Sequence, residues 1–344
     1  MPSKLGVHIN FITEADTMRD FILDARPVVV KTVHHDAAFW REIKAEYPEL
    51  LLIGRKFCEN QPLDDPEGEA EELASWYRDS SAARFYDAVE GYNELSRSRL
   101  SSLCRFDRRM AELVHEEGLK YVAGSWSVGV PEIADWERPE MLDALRVADY
   151  VGVHEYCAPR LDDPRGFNPP DTGWFTLRYR QAWDAISKHL ENPPRFLITE
   201  CGIDSGAAHW DPGAQGGWRS FTDAQDYLDQ LIWYDQNLQE DDYVAGATIF
   251  CLGTLDPTWD TFDLSGEMVS LLANYLREQA EAPPSEREEL LARIAELERE
   301  NAALSRQLTE VQERVAELEQ ERDTLSRQLA DAQARIQEAL RALS

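Results

Sequence analysis

Short runs of apolar and β-branched residues alternate with amphipathic stretches along the first 280 residues of the chain. The continuous apolar runs predict strands buried on both faces, and the stretches between them have the spacing of helices packed on one side. The predicted strands are 5–10, 27–33, 51–57, 85–91, 119–124, 149–156, 195–200 and 244–252. The predicted helices are 14–26, 36–47, 67–81, 96–117, 136–147, 174–190, 222–240 and 265–279. Eight strand–helix repeats predict an α/β chain that folds as a closed (β/α)₈ TIM barrel over residues 1–280.

A doubly wound open sheet is the main alternative to the barrel. That fold binds a dinucleotide through a glycine-rich turn after its first strand, but FITEAD, which follows GVHIN here, contains no glycine. The barrel is therefore favoured. Its active site is expected at the carboxyl ends of the strands, so we treat the residues there as one surface.

The chain changes character after residue 280. EQAEAPPSE forms a polar, proline-marked segment, from which we take residues 281–285 as a linker. Residues 286–344 contain no glycine, proline, lysine or aromatic residue and carry a seven-residue apolar repeat. Its members are Leu290, Leu297, Leu304, Val311, Leu318 and Leu325, with Ile294, Leu308, Val315, Leu329 and Ile336 four positions later. This spacing, with leucine dominating the d positions, predicts a long C-terminal coiled coil.

The composition of the seam predicts how many chains meet in it. Leucine at d with isoleucine, valine and leucine at a favours two parallel strands, and Asn301 falls at an a position, where a polar residue selects register and partner number. We therefore expect a parallel homodimer. Whether the tail also binds another protein stays open.

The charge and the cysteine content of the chain limit the classes of partner and cofactor that are expected. A net charge of −30, from 65 acidic and 35 basic residues, argues against nucleic acid and anionic membranes and favours a neutral substrate. The five cysteines have no CxxC spacing, so neither a disulfide framework nor a zinc site is indicated, and no cofactor is expected. The chain has no signal-peptide pattern and no apolar segment of 18 residues, which predicts a soluble cytoplasmic protein.

Two glutamates end predicted strands and are candidates for catalysis. FYDAVEGYNEL, residues 85–95, ends strand four with Asn93-Glu94, a pair that taken alone also suits a helix cap. Glu200 ends strand seven. Strands four and seven lie on opposite sides of an eight-stranded barrel, so the two carboxylates should face each other across its mouth. Glycoside hydrolysis requires such a pair, one carboxyl protonating the leaving oxygen and the other attacking the sugar or activating water.

The protonation states and orientation of the pair follow from simple rules. Strict alternation would put Phe196, Ile198 and Glu200 on one face of strand seven, so Glu200 points into the barrel if Ile198 does. Glu94, facing a second anion, is expected to have a raised pKa, while Glu200 stays ionised. Glu90 is expected to support the catalytic residues without contacting the substrate itself.

The chain resembles clan A of the retaining glycoside hydrolases, the (β/α)₈ group that includes cellulases, mannanases and β-galactosidases. The resemblance lies in the Asn-Glu pair ending strand four and the glutamate ending strand seven. It implies that Glu94 is the acid/base, that Glu200 is the nucleophile and that Asn93 binds the sugar 2-hydroxyl. A histidine or aromatic residue after strand six is matched by His154 and Tyr156, with Tyr156 placed to hydrogen-bond the nucleophile.

Two positions depart from the clan's pattern. The clan has an arginine near the end of strand two, where this chain has KTVHH, and a tryptophan ending strand eight, where it has TIFCLGT. Further substrate-binding candidates near strand ends are Trp126, Trp259, His34 and Asn10. The His34-His35 pair also suits a metal, but no third ligand has convincing spacing.

Three functions are compatible with this sequence. The first is a retaining glycosidase that acts on a neutral, β-linked glycoside and is dimerised by its tail. The second is a sugar-binding barrel without catalysis, displayed on a coiled-coil stalk. The third is another barrel enzyme, such as an aldolase or lyase, for which Lys31 and Lys56 are the strand-end Schiff-base candidates.

Overall fold

The computed structural model describes residues 2–163, 173–206, 216–281 and Arg335. The chain divides into two compact units, residues 2–282 and residues 283–344. The predicted coiled coil, 286–344, lies outside the described residues except for Arg335, which is helical. The heptad seam, the position of Asn301 and the parallel dimer therefore stay predictions.

Eight parallel strands close into a barrel in sequence order, which confirms the predicted barrel. The strands are β1 (Leu5–Ile9), β2 (Val29–Thr32), β3 (Leu51–Arg55), β4 (Ala88–Glu90), β5 (Lys120–Trp126), β6 (Tyr150–Tyr156), β7 (Arg195–Gly202) and β8 (Val244–Leu252). The helices are α1 (Ala15–Ala25), α2 (Ala37–Glu46), α3 (Pro66–Asp79), α4 (Leu100–Glu116), α5 (Pro139–Leu145), α6 (Tyr179–Ile186), α7 (Ala224–Glu240) and α8 (Glu267–Glu281). Side-chain caps from Asp36, Asp65 and Asp223 begin α2, α3 and α7.

None of the helices among the described residues is long and apolar enough to cross a membrane.

One layer of side chains inside the barrel is apolar. It takes one residue from each of β2 to β8: Val29, Ile53, Ala88, Val122, Tyr150, Leu197 and Ala245. Because successive strand residues alternate between faces, the residue two positions further along each regular strand also points inward. On β2, β3 and β4 those residues are Lys31, Arg55 and Glu90. The layer above the apolar floor is therefore charged.

Strand β7 departs from strict alternation. Leu197 lies in the inner layer, while Phe196 and Ile198 belong to the larger core between strands and helices. Against β6, Ile198 is opposite Val153 but Glu200 is opposite His154, so β7 carries one extra residue. This bulge turns Glu200 inward. The prediction that Phe196, Ile198 and Glu200 share a face was wrong, because it assumed a strand without a bulge.

A second bulge lies near the end of β5. Ala123 is opposite Val151 and Trp126 is opposite Val153, so three steps on β5 match two on β6. The two residues within the bulge, Gly124 and Ser125, both have positive φ, 96° and 43°. The bulge ends beside the loop that follows β4.

Candidate active site

Glu94, His154 and Glu200 meet at the carboxyl ends of β4, β6 and β7. One carboxylate oxygen of each glutamate and one ring nitrogen of the histidine lie within 4.8 Å of one another. His154 Nδ1 is 2.8 Å from Glu94 Oε1 and 3.6 Å from Glu200 Oε2. The buried imidazole therefore lies between the two carboxylates and fixes their relative position.

Glu200 is surrounded by donors and cations. Its residue is 7% exposed. The Tyr156 hydroxyl donates to Oε2 at 2.9 Å, and the Lys31 ammonium donates to Oε1 at 3.0 Å. His8 Nδ1 and Arg55 Nη2 lie 3.6 and 4.0 Å from Oε1. Both oxygens are thus held in place.

These neighbours decide the charge of Glu200. Burial alone would raise the pKa of Glu200, but the electrostatic effects of His154, Lys31, His8 and Arg55 outweigh it and hold the pKa well below its usual range. Glu200 is therefore ionised across the neutral range, the state that a carboxylate nucleophile requires.

Lys31 connects Glu200 to a second buried carboxylate. Its ammonium, fully buried, lies 2.9 Å from Glu90 Oε2 as well as 3.0 Å from Glu200 Oε1. Arg55 Nε lies 3.6 Å from the same Glu90 oxygen. Burial raises the pKa of Glu90, but the charges of Lys31 and Arg55 bring it below its usual value. Glu90 thus supports the site through Lys31.

Sequence reasoning missed the cations of this site. In the sequence, Lys31 stands out only as a Schiff-base candidate, and Arg55 does not stand out at all. The available signal was a basic residue inside an apolar strand, as in VVVKTV and LLIGRKF, because a buried charge is costly unless it is paired. In the segment KTVHH, the Lys31 ammonium donates to Glu200 at 3.0 Å.

Glu94 lies in a strained backbone position after β4. Its φ is 54°, and its N–H donates to the Ser125 carbonyl at 3.0 Å. The side chain is 40% exposed, so one side of the carboxyl faces the open mouth of the barrel. Glu94 is therefore the more exposed of the two glutamates, since the Glu200 side chain is 9% exposed.

The pKa of Glu94 is shifted in the opposite direction to the prediction. Burial and Glu200 both raise it, but the hydrogen bonds to His154 and Ser127 and the electrostatic effect of His154 outweigh them, and the net pKa is lowered. The prediction considered the second carboxylate and not the imidazole between the two, because a contact 60 residues away is invisible in sequence.

Asn93 precedes Glu94 and is fixed through its backbone. Its N–H donates to Gln61 Oε1 at 2.5 Å, and its carbonyl accepts from Gln61 Nε2 at 3.0 Å. Its side-chain Oδ1 is buried and accepts no hydrogen bond from the described residues. The amide oxygen therefore has an unused capacity to accept a hydrogen bond within the described residues.

Trp126 is not where the sequence predicted it. The residue lies in β5, not in a loop, and is 1% exposed, packed into the core between strands and helices. No face of its ring is open to a ligand. The bulge at Gly124 and Ser125 extended β5 beyond the strand end that the sequence suggested.

The other predicted contacts lie around the mouth. Trp259 is partly buried after β8, with its ring 5.2 Å from that of Phe250, which itself lies 5.2 Å from His8. His34 Nδ1 accepts from the Ile12 N–H at 3.2 Å, and Asn10 is partly buried directly after β1. Trp259, His34 and Asn10 thus follow β8, β2 and β1, respectively.

Glu94, His154 and Glu200 are the described residues whose atoms are close enough to hold a metal ion together. Lys31 already binds Glu200 at 3.0 Å, and Arg55 lies within 4.0 Å, so a divalent cation would be repelled there. In the His34-His35 pair each Nδ1 has a protein partner, Ile12 N–H and the Tyr86 hydroxyl. The arrangement of these side chains therefore favours chemistry by the two carboxylates over the binding of a metal ion.

The barrel is similar to parts of several solved structures. A GH2 β-galacturonidase from Eisenbergiella tayi bound to glycerol aligns with 81% of this chain and 51% of its own, at 14% identity and a TM-score of 0.54. A putative β-galactosidase from Bacteroides fragilis aligns with 82% of this chain and 42% of its own, at 14% identity and a TM-score of 0.54. A β-D-glucuronidase from Dictyoglomus thermophilum aligns with 82% and 51%, at 12% identity and a TM-score of 0.52.

This chain thus spans about half the length of these neighbours. No protein-family model matches the sequence, and the search of curated proteins gives no match either. At such identities the likeness is one of fold. The chain therefore has a (β/α)₈ barrel of the kind found in these glycoside hydrolases.

Proposed function

We propose that the barrel is a glycoside hydrolase that works by a retaining double displacement, with Glu200 as nucleophile and Glu94 as acid/base. One observation carries the proposal: an oxygen of Glu94 and an oxygen of Glu200 lie within 4.8 Å of each other at the carboxyl ends of β4 and β7. Carboxyl pairs about 5–5.5 Å apart leave room for a sugar carbon and not for an additional water, which favours retention.

The steps follow from the two environments. Ionised Glu200 attacks the anomeric carbon while Glu94 transfers its proton to the leaving oxygen, so that the glycosidic bond breaks and a glycosyl ester forms on Glu200. Glu94, now a carboxylate, takes a proton from water as that water attacks the same carbon. Glu200 leaves as a carboxylate and Glu94 regains its proton.

The neighbours of Glu200 assist both steps. Tyr156 and Lys31 each hold one oxygen, so the carboxylate needs no reorganisation before it attacks. The same contacts favour the departing anion when the ester is hydrolysed. Asn93, with its free amide oxygen, is the group we assign to the sugar 2-hydroxyl.

We assign a neutral sugar to the innermost position. Lys31 and Arg55, the cations nearest Glu200 among the described residues, already pair with Glu90 and Glu200. A uronic acid, as named for some of the structural neighbours, would need a cation of its own. The net charge of −30 would also repel an acidic substrate.

The test is covalent trapping. A set of 2-fluoro glycosides of neutral sugars with activated leaving groups is incubated with the protein, and the labelled peptide is identified by mass spectrometry. We expect the label on Glu200 and none in Glu200→Gln. A label on another residue, or turnover with inversion at the anomeric carbon, would contradict the proposal.

The second candidate is a sugar-binding barrel without catalysis, and one observation favours it. The pKa of Glu94 is lowered, so the unliganded protein holds little acid at neutral pH. A binder on a two-stranded coiled coil would gain avidity from its second site. Binding of neutral sugars without trapping at any pH would support this candidate and exclude the first.

We also propose that residues 286–344 join two chains in a parallel coiled coil. The proposal rests on the heptad spacing of the leucines and on Asn301 at an a position.

A further inference from the structure

Glu94 needs an external support for its backbone. A glutamate at a φ of 54° lies in the left-handed region, which is unfavourable for a non-glycine residue. Such a conformation persists only when the surroundings impose it. The contact that does so is the hydrogen bond from the Glu94 N–H to the Ser125 carbonyl, at 3.0 Å. The place of Glu94 is therefore set by β5.

Strand β5 is itself irregular at this point. Gly124 and Ser125 form the bulge described above, with φ values of 96° and 43°. A Cβ atom on Gly124 would lie 2.4 Å from Trp126 Nε1, and one on Gly152 of the neighbouring strand would lie 3.0 Å from the Ser125 nitrogen. The bulge is thus packed closely against its own strand and against β6.

The side chain that fastens the bulge comes from helix α4. Asp107 is 4% exposed and accepts a hydrogen bond from the Tyr121 hydroxyl at 2.6 Å. The same carboxyl is close enough to the backbone N–H of Gly124 for that N–H to stabilise its charged form. Asp107 therefore binds β5 at Tyr121, three residues before the first residue of the bulge.

The same helix face also packs on the end of β4. A Cβ on Gly91 would lie 2.4 Å from the Tyr121 hydroxyl and 2.6 Å from Phe106 Cε1, and Phe106 precedes Asp107 on α4. The ends of both strands that place Glu94 thus meet at one spot on α4. Gly91 and Gly124 provide the close approach.

We propose that Asp107 is a positioning residue for Glu94, acting through the Gly124-Ser125 bulge. The proposal rests on the proposed role of Glu94 as acid/base. Asp107 contacts neither Glu94 nor any ligand position. Its hydrogen bond with the Tyr121 hydroxyl holds β5 directly before the bulge, and the Ser125 carbonyl in the bulge holds the Glu94 N–H. Losing Asp107 relaxes Ser125 and moves the carboxyl of Glu94 away from His154.

The test uses Asp107→Asn, which has nearly the same volume. Burial raises the pKa of Asp107 to about 7, so a neutral amide is compatible with its surroundings. The amide replaces one acceptor oxygen by an NH₂ donor and carries no charge, so it holds the Tyr121 hydroxyl and the Gly124 N–H less strongly than the carboxyl does. The matched control is Asp235→Asn on α7, another buried aspartate, which accepts from the Tyr275 hydroxyl at 2.7 Å and from the Lys4 N–H at 2.8 Å. Lys4 precedes β1, at the end of the barrel away from the site.

The first readout is the dependence on the leaving group. Proton transfer matters for alkyl glycosides and little for dinitrophenyl glycosides. We expect Asp107→Asn to lower kcat/KM for alkyl glycosides by about ten-fold more than for dinitrophenyl glycosides, because a small misplacement is costly for proton transfer. Asp235→Asn should change both by the same factor. An equal loss for both substrates in Asp107→Asn would overturn the proposal.

The second readout does not need activity. The ¹³C-carboxyl signal of Glu94 is titrated by NMR in the unliganded wild type and in both variants. We expect the pKa of Glu94 to rise in Asp107→Asn, since its contact with His154 weakens, and to stay unchanged in Asp235→Asn. An unchanged pKa in Asp107→Asn would overturn the proposal even if no glycoside is ever hydrolysed.

If Asp107→Asn does not fold, Tyr121→Phe takes its place. It removes the hydroxyl that donates to Asp107 and keeps the ring. We expect the same rise in the pKa of Glu94, smaller in size, and no rise would count against the proposal.

Discussion

The Lys31 ammonium, on β2, donates to Glu200 on β7 at 3.0 Å, although the two residues are 169 positions apart in sequence. The same ammonium lies 2.9 Å from Glu90 on β4. One cation thus pairs with two buried carboxylates and joins three strands of the barrel. Removing it leaves the two buried anions with only the more distant Arg55, which has consequences for stability and for activity.

Lys31→Met is expected to lower the free energy of unfolding by about 3–5 kcal/mol, the cost of leaving a buried charge without its partner. Urea unfolding monitored by circular dichroism measures it. The control is Arg105→Met, whose partner Glu67 is on the exposed surface, and which should cost about 0–1 kcal/mol. Adding Glu90→Gln to Lys31→Met should restore part of the loss. Equal losses for Lys31→Met and the control would contradict the charge network.

The pH dependence of kcat/KM is expected to lie in the acid range. The nucleophile must be ionised, which holds above the strongly lowered pKa of Glu200, and the acid must be protonated, which holds below the lowered pKa of Glu94. Both pKa values are lowered, that of Glu200 more strongly, so the maximum of kcat/KM, which reports the free protein, is expected on the acid side of neutral pH. A maximum near neutral pH would mean that the pKa of Glu94 is raised, as the sequence alone suggested.

His154→Asn should move both limbs of that profile to higher pH. The histidine lowers the pKa of Glu94 and that of Glu200, so its removal raises both. His35→Asn is the matched control, because its ring binds Tyr86 and neither carboxylate. A profile that stays in place in His154→Asn would show that the imidazole does not set these values.

Tyr156→Phe is expected to lower kcat by about 10–100-fold, because a hydrogen bond to a charged group contributes about 1.5–3 kcal/mol. The hydroxyl lost is the one that holds Glu200 Oε2 at 2.9 Å. Tyr234→Phe removes a buried hydroxyl of the same kind that donates to Glu155 at 2.6 Å, and it should change stability and leave kcat near wild type. Steady-state kinetics on one neutral aryl glycoside compares them. The assignment fails if the two variants lose the same activity.

The full chain is expected to sediment as a dimer at micromolar concentration. Lysine at two d positions, in Leu304→Lys with Leu318→Lys, places charges in the predicted seam and should give a monomer. The control is Ala302→Lys with Ala316→Lys, at two b positions outside the seam, and it should leave the dimer intact. Sedimentation equilibrium distinguishes the two. A monomeric wild-type chain would exclude the coiled-coil proposal.

The barrel could be predicted from sequence because its strands are buried on both faces. That burial leaves runs such as PVVVKTV and VAGATIFCL, and eight of them in sequence allow few other folds. The ends of these runs also indicated Glu94 and Glu200. A strand end is a local feature, and parallel strands bring their carboxyl ends together.

The charge state of the site could not be predicted in the same way. The pKa of Glu94 depends on His154, and that of Glu200 on Lys31, and both pairs form only when distant strands close the barrel. The inward orientation of Glu200 was predicted by a wrong route, since the same rule placed Ile198 on the inner face. Bulges leave no signal in a run of apolar residues, so both the inward turn of β7 and the burial of Trp126 had to come from the structure.

The extra residue in β7 reverses the alternation of the side chains. Every residue beyond it points to the face opposite to the one that strict alternation would give it. Lys31 comes two positions after its inner-layer residue Val29, whereas Glu200 comes three positions after Leu197. A homologue that had lost Thr199 would keep a glutamate at the same strand end and turn it toward the helices. Strand-end motifs of related barrels are therefore best aligned by counting from the inner apolar layer, because a single gap in β7 would turn the glutamate at the strand end away from the barrel interior.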